Sequence, residues 1–286
     1  MARYLNRPLH KQIMNNPAPT PTRQHLAAYE VLPAMKREAE YFLTRTPGQT
    51  LVLALAGGMF VTFGALFSLL LSDGVSTPGI KLLMQGLGFS TGFFMIILAR
   101  AALFTEANVI LPASYLQGVP KSHVLTTLRF WGIAWIGNML GAFIIGAVIA
   151  FAQTYPDSVQ QSLDTVVAKK MAYQDEGGVT AWLRIIVSGM LGNGLIGMAA
   201  FFATMANTLF GKYIPVFLVV TLFVAGNFQH SPANMGYFSL SMATGGGPGW
   251  EAAFWWSIIP AGIGNILGGA LLVALPFWYA LVKKES

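Results

Sequence analysis

The chain has 286 residues and a formal net charge of +6; 55% of its residues are hydrophobic and only 10% charged. A soluble domain carries roughly 25% charged residues, so this composition excludes a soluble fold and predicts an integral membrane protein. Cysteine is absent, which excludes disulfide frameworks, thiol nucleophiles and thiolate metal sites.

The first 49 residues lack a continuous apolar core and are not read as a cleaved signal peptide. Residues up to Thr22, with the run NNPAPTPT, read as a disordered tail. His25 to Leu43 reads as an amphipathic helix broken or bent at Pro33, lying at the cytoplasmic surface.

A span needs about 20 apolar residues, and six such runs follow. They cover about Leu51–Leu71, Ile80–Leu116, Leu125–Phe151, Trp182–Met205, Tyr213–Met242 and Phe254–Leu281, the second and fifth being interrupted. Residues 50–152 thus hold three spans and residues 180–286 three more with a short tail, separated by an extracytoplasmic loop at 153–179. Arg3, Arg7, Lys11, Arg23, Lys36, Arg37, Arg45, Lys121, Arg129, Lys212, Lys283 and Lys284 all fall on one side. Lysine and arginine favour the cytoplasmic side, so both termini are expected there, in the cell (inner) membrane. The basic residues flank spans and form no continuous patch, so nucleic acid is not expected as a partner.

The two halves resemble each other. TEAN at Thr105–Asn108 answers SPAN at Ser231–Asn234, and GNMLGA at Gly137 answers GNILGG at Gly264. Three spans per half is an odd number, so the second half enters the membrane upside down, as an inverted repeat. Gly137 and Gly141, like Gly264 and Gly268, have GxxxG spacing, which lets helix backbones approach closely. Asn138 and Asn265 between them read as packing residues.

The fifth run would make a helix of about 45 Å at roughly 1.5 Å per residue, longer than the roughly 30 Å hydrocarbon core. A break is predicted near Gln229–Ser231, with Ser231 as N-cap and Pro232 in the first helical position. A matching break is predicted near Leu103–Thr105, with Thr105 as N-cap and Asn108 at the third helical position. Helix N-termini carry free N–H groups and partial positive charge. Two of them meeting inside the membrane would hold an anion, or a polar solute that accepts hydrogen bonds. His230 is the lone histidine in a span; beside such a break it reads as functional, although one histidine cannot hold a transition metal.

These residues resemble the formate/nitrite transporter family. LFT at Leu103–Thr105 is similar to the family's loop in the broken second helix, FQHSPANM at Phe228–Met235 to its fifth-helix motif, and LPAMKREAEYF at Leu32–Phe42 to its cytoplasmic N-terminal helix. The resemblance implies an all-α, aquaporin-like protomer with six transmembrane helices in two inverted three-helix repeats. It implies a homopentamer with one pore per subunit, passing small monovalent anions, with protons as a coupled species. No cofactor and no catalytic residue are implied.

Residue by residue, the resemblance makes His230 the central histidine and Thr105 the loop threonine hydrogen-bonding near it. Asn193 becomes a pore-lining asparagine, and Asn234 lies in the fifth-helix motif. Phe89 and Phe223 become the outer constriction; Phe93 falls at the inner one, with Leu103 in the adjacent loop. Two positions depart from the family. Where many relatives carry a vestibule lysine before the fourth helix, a gap-free reading puts Gly177, and the nearest lysines are Lys169 and Lys170. Where many carry an acid before LFT, this chain has Ala102, and the acid Glu106 follows instead, with Arg100 nearby. An isolated charge in a span costs about 2.5–3.5 kcal/mol, so Glu106 and Arg100 are expected to find partners, or Glu106 to cap its half-helix.

The leading expectation is a channel or proton-coupled transporter for formate, nitrite or similar weak-acid anions. An aquaporin-like pore for a small neutral solute is the alternative. An enzyme is not expected, since no nucleophile, cofactor motif or metal cluster accompanies His230.

Overall fold

The computed structural model describes residues 23–282; the expected tail up to Thr22 lies outside them. Ten helices follow in order. They are α1 (Ala28–Thr44), α2 (Pro47–Ser72), α3 (Pro78–Ala99), α4 (Phe104–Leu116) and α5 (Val124–Ala152), then α6 (Asp157–Glu176), α7 (Gly178–Met205), α8 (Leu209–Ala225), α9 (Ser231–Ala243) and α10 (Trp250–Leu281). The six expected spans are all present, two of them divided into α3–α4 and α8–α9. The protein is an all-α, multi-pass membrane protein.

Helix α1 buries Val31, Leu32, Met35, Ala39 and Phe42, a stripe at helical spacing. Glu30, in its first turn, accepts the Ala27 backbone N–H at 2.6 Å, and that bond holds its carboxyl below the usual range. The helix is not broken at Pro33. Proline at the sixth position removes one hydrogen bond, to the carbonyl of Tyr29, and Tyr29 is exposed, so water can satisfy that carbonyl. Pro47 enters α2 at its first position behind a capping box between Thr46 and Gln49.

Glycines set the helix spacing in both halves. A Cβ on Gly141 would come within 2.1 Å of the Leu55 carbonyl oxygen, and one on Gly268 within 2.2 Å of the Met190 carbonyl oxygen. The GxxxG pairs therefore press α5 onto α2 and α10 onto α7, the same contact in each half. Helix α10 contains π-helical turns at Phe254–Ile258 and Gly269–Ala274.

The expected loop at 153–179 is instead largely helix. Helix α6 buries Val159, Leu163, Val167, Lys170 and Met171 along one face. With α1 before one half and α6 before the other, each half has five helices in matching order. Three crossings separate α1 from α6, so the two lie on opposite sides of the membrane.

Candidate functional site

The chain leaves helical geometry at 100–103 and again at 226–230. Each break contains a non-glycine residue in the left-handed region, Arg100 at φ 50° and Asn227 at φ 50°. These positions are 127 residues apart. The half-helices α4 and α9 that follow have 13 residues each, about 20 Å at 1.5 Å per residue, too short to cross the bilayer core.

Asparagines of the repeated GN-x-LG motif hold both helix starts. Asn138 Oδ1 accepts the Phe104 backbone N–H at 2.9 Å, while its Nδ2 donates to Ala54 and Ala102 carbonyls at 2.8 and 2.9 Å. Asn265 Oδ1 accepts the Ser231 N–H at 2.9 Å, and its Nδ2 donates to Gly189 and Gln229 carbonyls at 2.9 and 3.3 Å. These side chains are braces, not mere packing. The first orphan N–H of each half-helix is thus satisfied from another helix.

That brace moves the caps. The N-cap of α9 is His230, with Ser231 as the first helical residue; the N-cap of α4 is Leu103, and Asn108 is its fifth residue. Ser231 and Thr105 are not N-caps. Structural correspondence runs at 127 positions, pairing Leu103 with His230, one residue off the TEAN/SPAN alignment. The Ser231 hydroxyl instead accepts from Trp135 Nε1 at 2.9 Å.

His230 is 2% exposed. Its Nδ1 accepts the Ala233 backbone N–H at 3.2 Å, which requires a lone pair on Nδ1. In the neutral ring the proton is therefore on Nε2, and Nε2 has no partner among the described residues. A buried hydrogen-bond donor is left free beside the positive end of α9. The Phe223 ring lies edge-on to the imidazole, 5.3 Å between centroids.

Phe223 and Phe89 face each other at 6.0 Å between centroids, and Phe89 stacks on Tyr237 at 6.0 Å. They close the floor of a cavity of about 650 Å³ on the α6 side, whose wall includes Lys81, Lys169, Lys170 and Asp73. Phe93 and Leu103, 3% and 1% exposed, lie in the packed interior and not in this cavity.

Asn193 joins the halves. Its Nδ2 donates to the Thr105 carbonyl at 3.2 Å and the Asn265 carbonyl at 2.7 Å, leaving its Oδ1 buried and unpartnered. The Thr105 hydroxyl is likewise buried and unpartnered, and no hydrogen bond joins it to His230 among the described residues. Asn234 braces the second break, its Nδ2 donating to Gln229 Oε1 at 2.6 Å and to Ser257 Oγ at 2.7 Å.

Lys170 joins the candidate residues at the second break. Its Nζ donates to the Phe228 carbonyl at 2.6 Å and the Asn227 carbonyl at 3.4 Å, and lies 5.8 Å from the centre of the Phe223 ring. Burial pushes its ammonium down to about 7. The signal was its place at helical spacing on the apolar face of Val159, Leu163 and Val167. The opposite break has a counterpart, since Arg45, just after α1, donates from Nη2 to the Arg100 carbonyl at 3.5 Å. Arg100 itself pairs with Glu38 of α1. Glu106 has no hydrogen bond or ion pair among the described residues, so the expected partner or cap is absent for it.

Comparison with known proteins gives a consistent picture. The sequence model of the family described as "Formate/nitrite transporter" matches residues 29–279. The chain is 28% identical over 250 residues to the "Probable formate transporter" of Methanothermobacter thermautotrophicus, covering 83% of this chain and 90% of that protein. It is 30% identical over 241 residues to the "Uncharacterized transporter YrhG" of Bacillus subtilis (strain 168), covering 82% and 86%. Its fold is similar to that of a solved "Pentameric formate channel with formate bound", with TM-score 0.68 and 23% identity over 83% of this chain and 98% of that one.

Proposed function

The chain belongs to the formate/nitrite transporter family, and from that premise we propose that it passes small monovalent anions of weak acids, formate or nitrite, through one pore per subunit of a homopentamer. It is a transport protein of the membrane and not an enzyme. The α1 side, rich in lysine and arginine, faces the cytoplasm, and the membrane is the inner, cytoplasmic one.

The pathway begins in the cavity on the α6 side, where three lysines outweigh Asp73 and attract anions. Lys170 brings positive charge to the floor of that cavity. Phe89 and Phe223 admit an anion only after it sheds its water. Behind them the Nε2–H of His230 and the N-terminus of α9 replace that water with fixed donors. Thr105 and Asn193 offer the next polar atoms, and Phe93 with Leu103 forms the second constriction. The neutral-solute alternative is not favoured, because neither the family nor a lysine-lined entrance points to an uncharged cargo.

The observation that carries this reading is the free, buried Nε2 of His230 behind the two phenylalanines. Proteoliposome flux of formate, nitrite and an uncharged solute such as glycerol tests it. Saturable formate or nitrite flux without glycerol flux is expected; glycerol flux alone would sink the proposal.

A further inference from the structure

The helices α3 and α8 carry Phe89 and Phe223 toward the α6 side. Toward the α1 side the same two helices carry Arg100, one residue past α3, and Lys212, in the first turn of α8. Glu106, the third residue of α4, stands among these charges. Those close enough to act on it among the described residues are Glu38 of α1, Arg45 just after it, Arg100 at the break and Lys212 of α8. Its carboxyl therefore lies toward the α1 side, between the break at Arg100 and the first turn of α8, on the far side of His230 from the lysine-lined cavity. The neighbouring Thr105 hydroxyl is buried and unpartnered.

A glutamate in the first turn of a helix commonly does no more than cap it. Glu30 does so in α1, reaching back to the Ala27 N–H at 2.6 Å. Glu106 occupies the same third position in α4, but its carboxylate makes no such bond to Leu103. The cations around it are engaged elsewhere: Arg100 with Glu38, Lys212 with the Ala203 carbonyl at 2.6 Å, and Arg45 Nη2 with the Arg100 carbonyl. Glu106 is half-buried, and its carboxylate has no hydrogen bond or ion pair among the described residues.

Resting on the reading above, we propose that Glu106 is the proton-exchange group on the cytoplasmic side of the pore. An ionised carboxylate beside the path repels an anion and blocks it. With a proton on Glu106 the repulsion is gone and the anion passes. The proton is taken from water on the α1 side and, when the O–H bond of Glu106 breaks again, returns to water on that side, so the net cargo is the anion alone and no other bond changes. A pore governed in this way slows as cytoplasmic pH rises and Glu106 ionises.

Glutamine at this position keeps the shape of the protonated carboxyl and cannot ionise. Formate flux should be measured in proteoliposomes of known orientation, with pH varied on one side at a time. Wild-type flux is expected to fall as pH on the α1 side rises. Glu106→Gln should hold its low-pH rate, several-fold above wild type at the alkaline end, with its dependence on the opposite side unchanged. A Glu106→Gln profile identical to wild type overturns the inference alone, and so does a wild-type flux indifferent to pH on the α1 side. Should Glu106→Gln fail to assemble, Glu106→Asp decides: a displaced cytoplasmic pH profile supports the inference and an unmoved one overturns it. Wild-type protein carrying neither formate nor nitrite overturns it together with the function it rests on.

Discussion

Asn138 and Asn265, 127 positions apart, each hold the start of a half-helix by the same three hydrogen bonds: one accepted from the first helical N–H and two donated to carbonyls of the break and of a neighbouring helix. Broken backbone survives at membrane depth only where its polar groups find partners. These two side chains supply them. Their placement is what allows His230 to stand at the head of α9 with a free nitrogen.

Removing either brace should loosen the protein. Asn138→Ala or Asn265→Ala leaves buried backbone groups unsatisfied, at about 1–3 kcal/mol for each orphaned group. A lower melting temperature of the detergent-solubilised oligomer is expected for both variants, by comparable amounts. Unchanged melting would mean that water replaces the side chain.

Lys170 predicts a pH dependence on the α6 side. Its ammonium titrates at about 7. It is therefore charged below that pH and neutral above it, so attraction of anions is present at acid pH and lost as pH on that side rises. The concentration of formate for half-maximal flux should rise through that range in wild type. In Lys170→Gln it should be high and flat. A pH-dependent rise surviving in Lys170→Gln would assign the effect to another group.

The two phenylalanines are expected to act as a filter. Phe89→Ala and Phe223→Ala should raise leak of larger solutes, read as passage of propionate or glycerol into proteoliposomes. Unchanged selectivity in both variants would move the constriction elsewhere.

Much of this was legible in the sequence. The spans, the two breaks and the singular histidine follow from apolar run length and from polar residues where lipid forbids them. The register of the caps was not. Ser231 and Thr105 are the better capping residues by local chemistry, yet the first N–H of each half-helix is claimed by an asparagine from another helix. That shifts each cap to a residue, His230 or Leu103, that local chemistry does not single out. Asn138 and Asn265 looked like packing because their partners are backbone atoms from distant segments, which no local pattern displays. Lys170 is not legible from the family resemblance, because an alignment without gaps points to Gly177, whereas the helical spacing of α6 turns Lys170 inward seven residues earlier. Pro33 by local chemistry disturbs a helix, yet tertiary packing keeps this one whole.

The most direct test falls on His230. Asparagine is a good N-cap, so His230→Asn can still accept the Ala233 N–H and keep α9 in place, but it loses the Nε2–H behind Phe223 and any ability to titrate. Thr105→Val serves as the comparison, removing a hydroxyl worth about 0.5–1.5 kcal/mol in a hydrogen bond and no titratable group. Formate and nitrite uptake should be followed in proteoliposomes at several pH values. His230→Asn is predicted to assemble normally and lose most of its flux across the pH range, with Thr105→Val impaired less. A His230→Asn protein transporting at the wild-type rate with the wild-type pH profile would make His230 a helix cap and nothing more, and would contradict the pathway described.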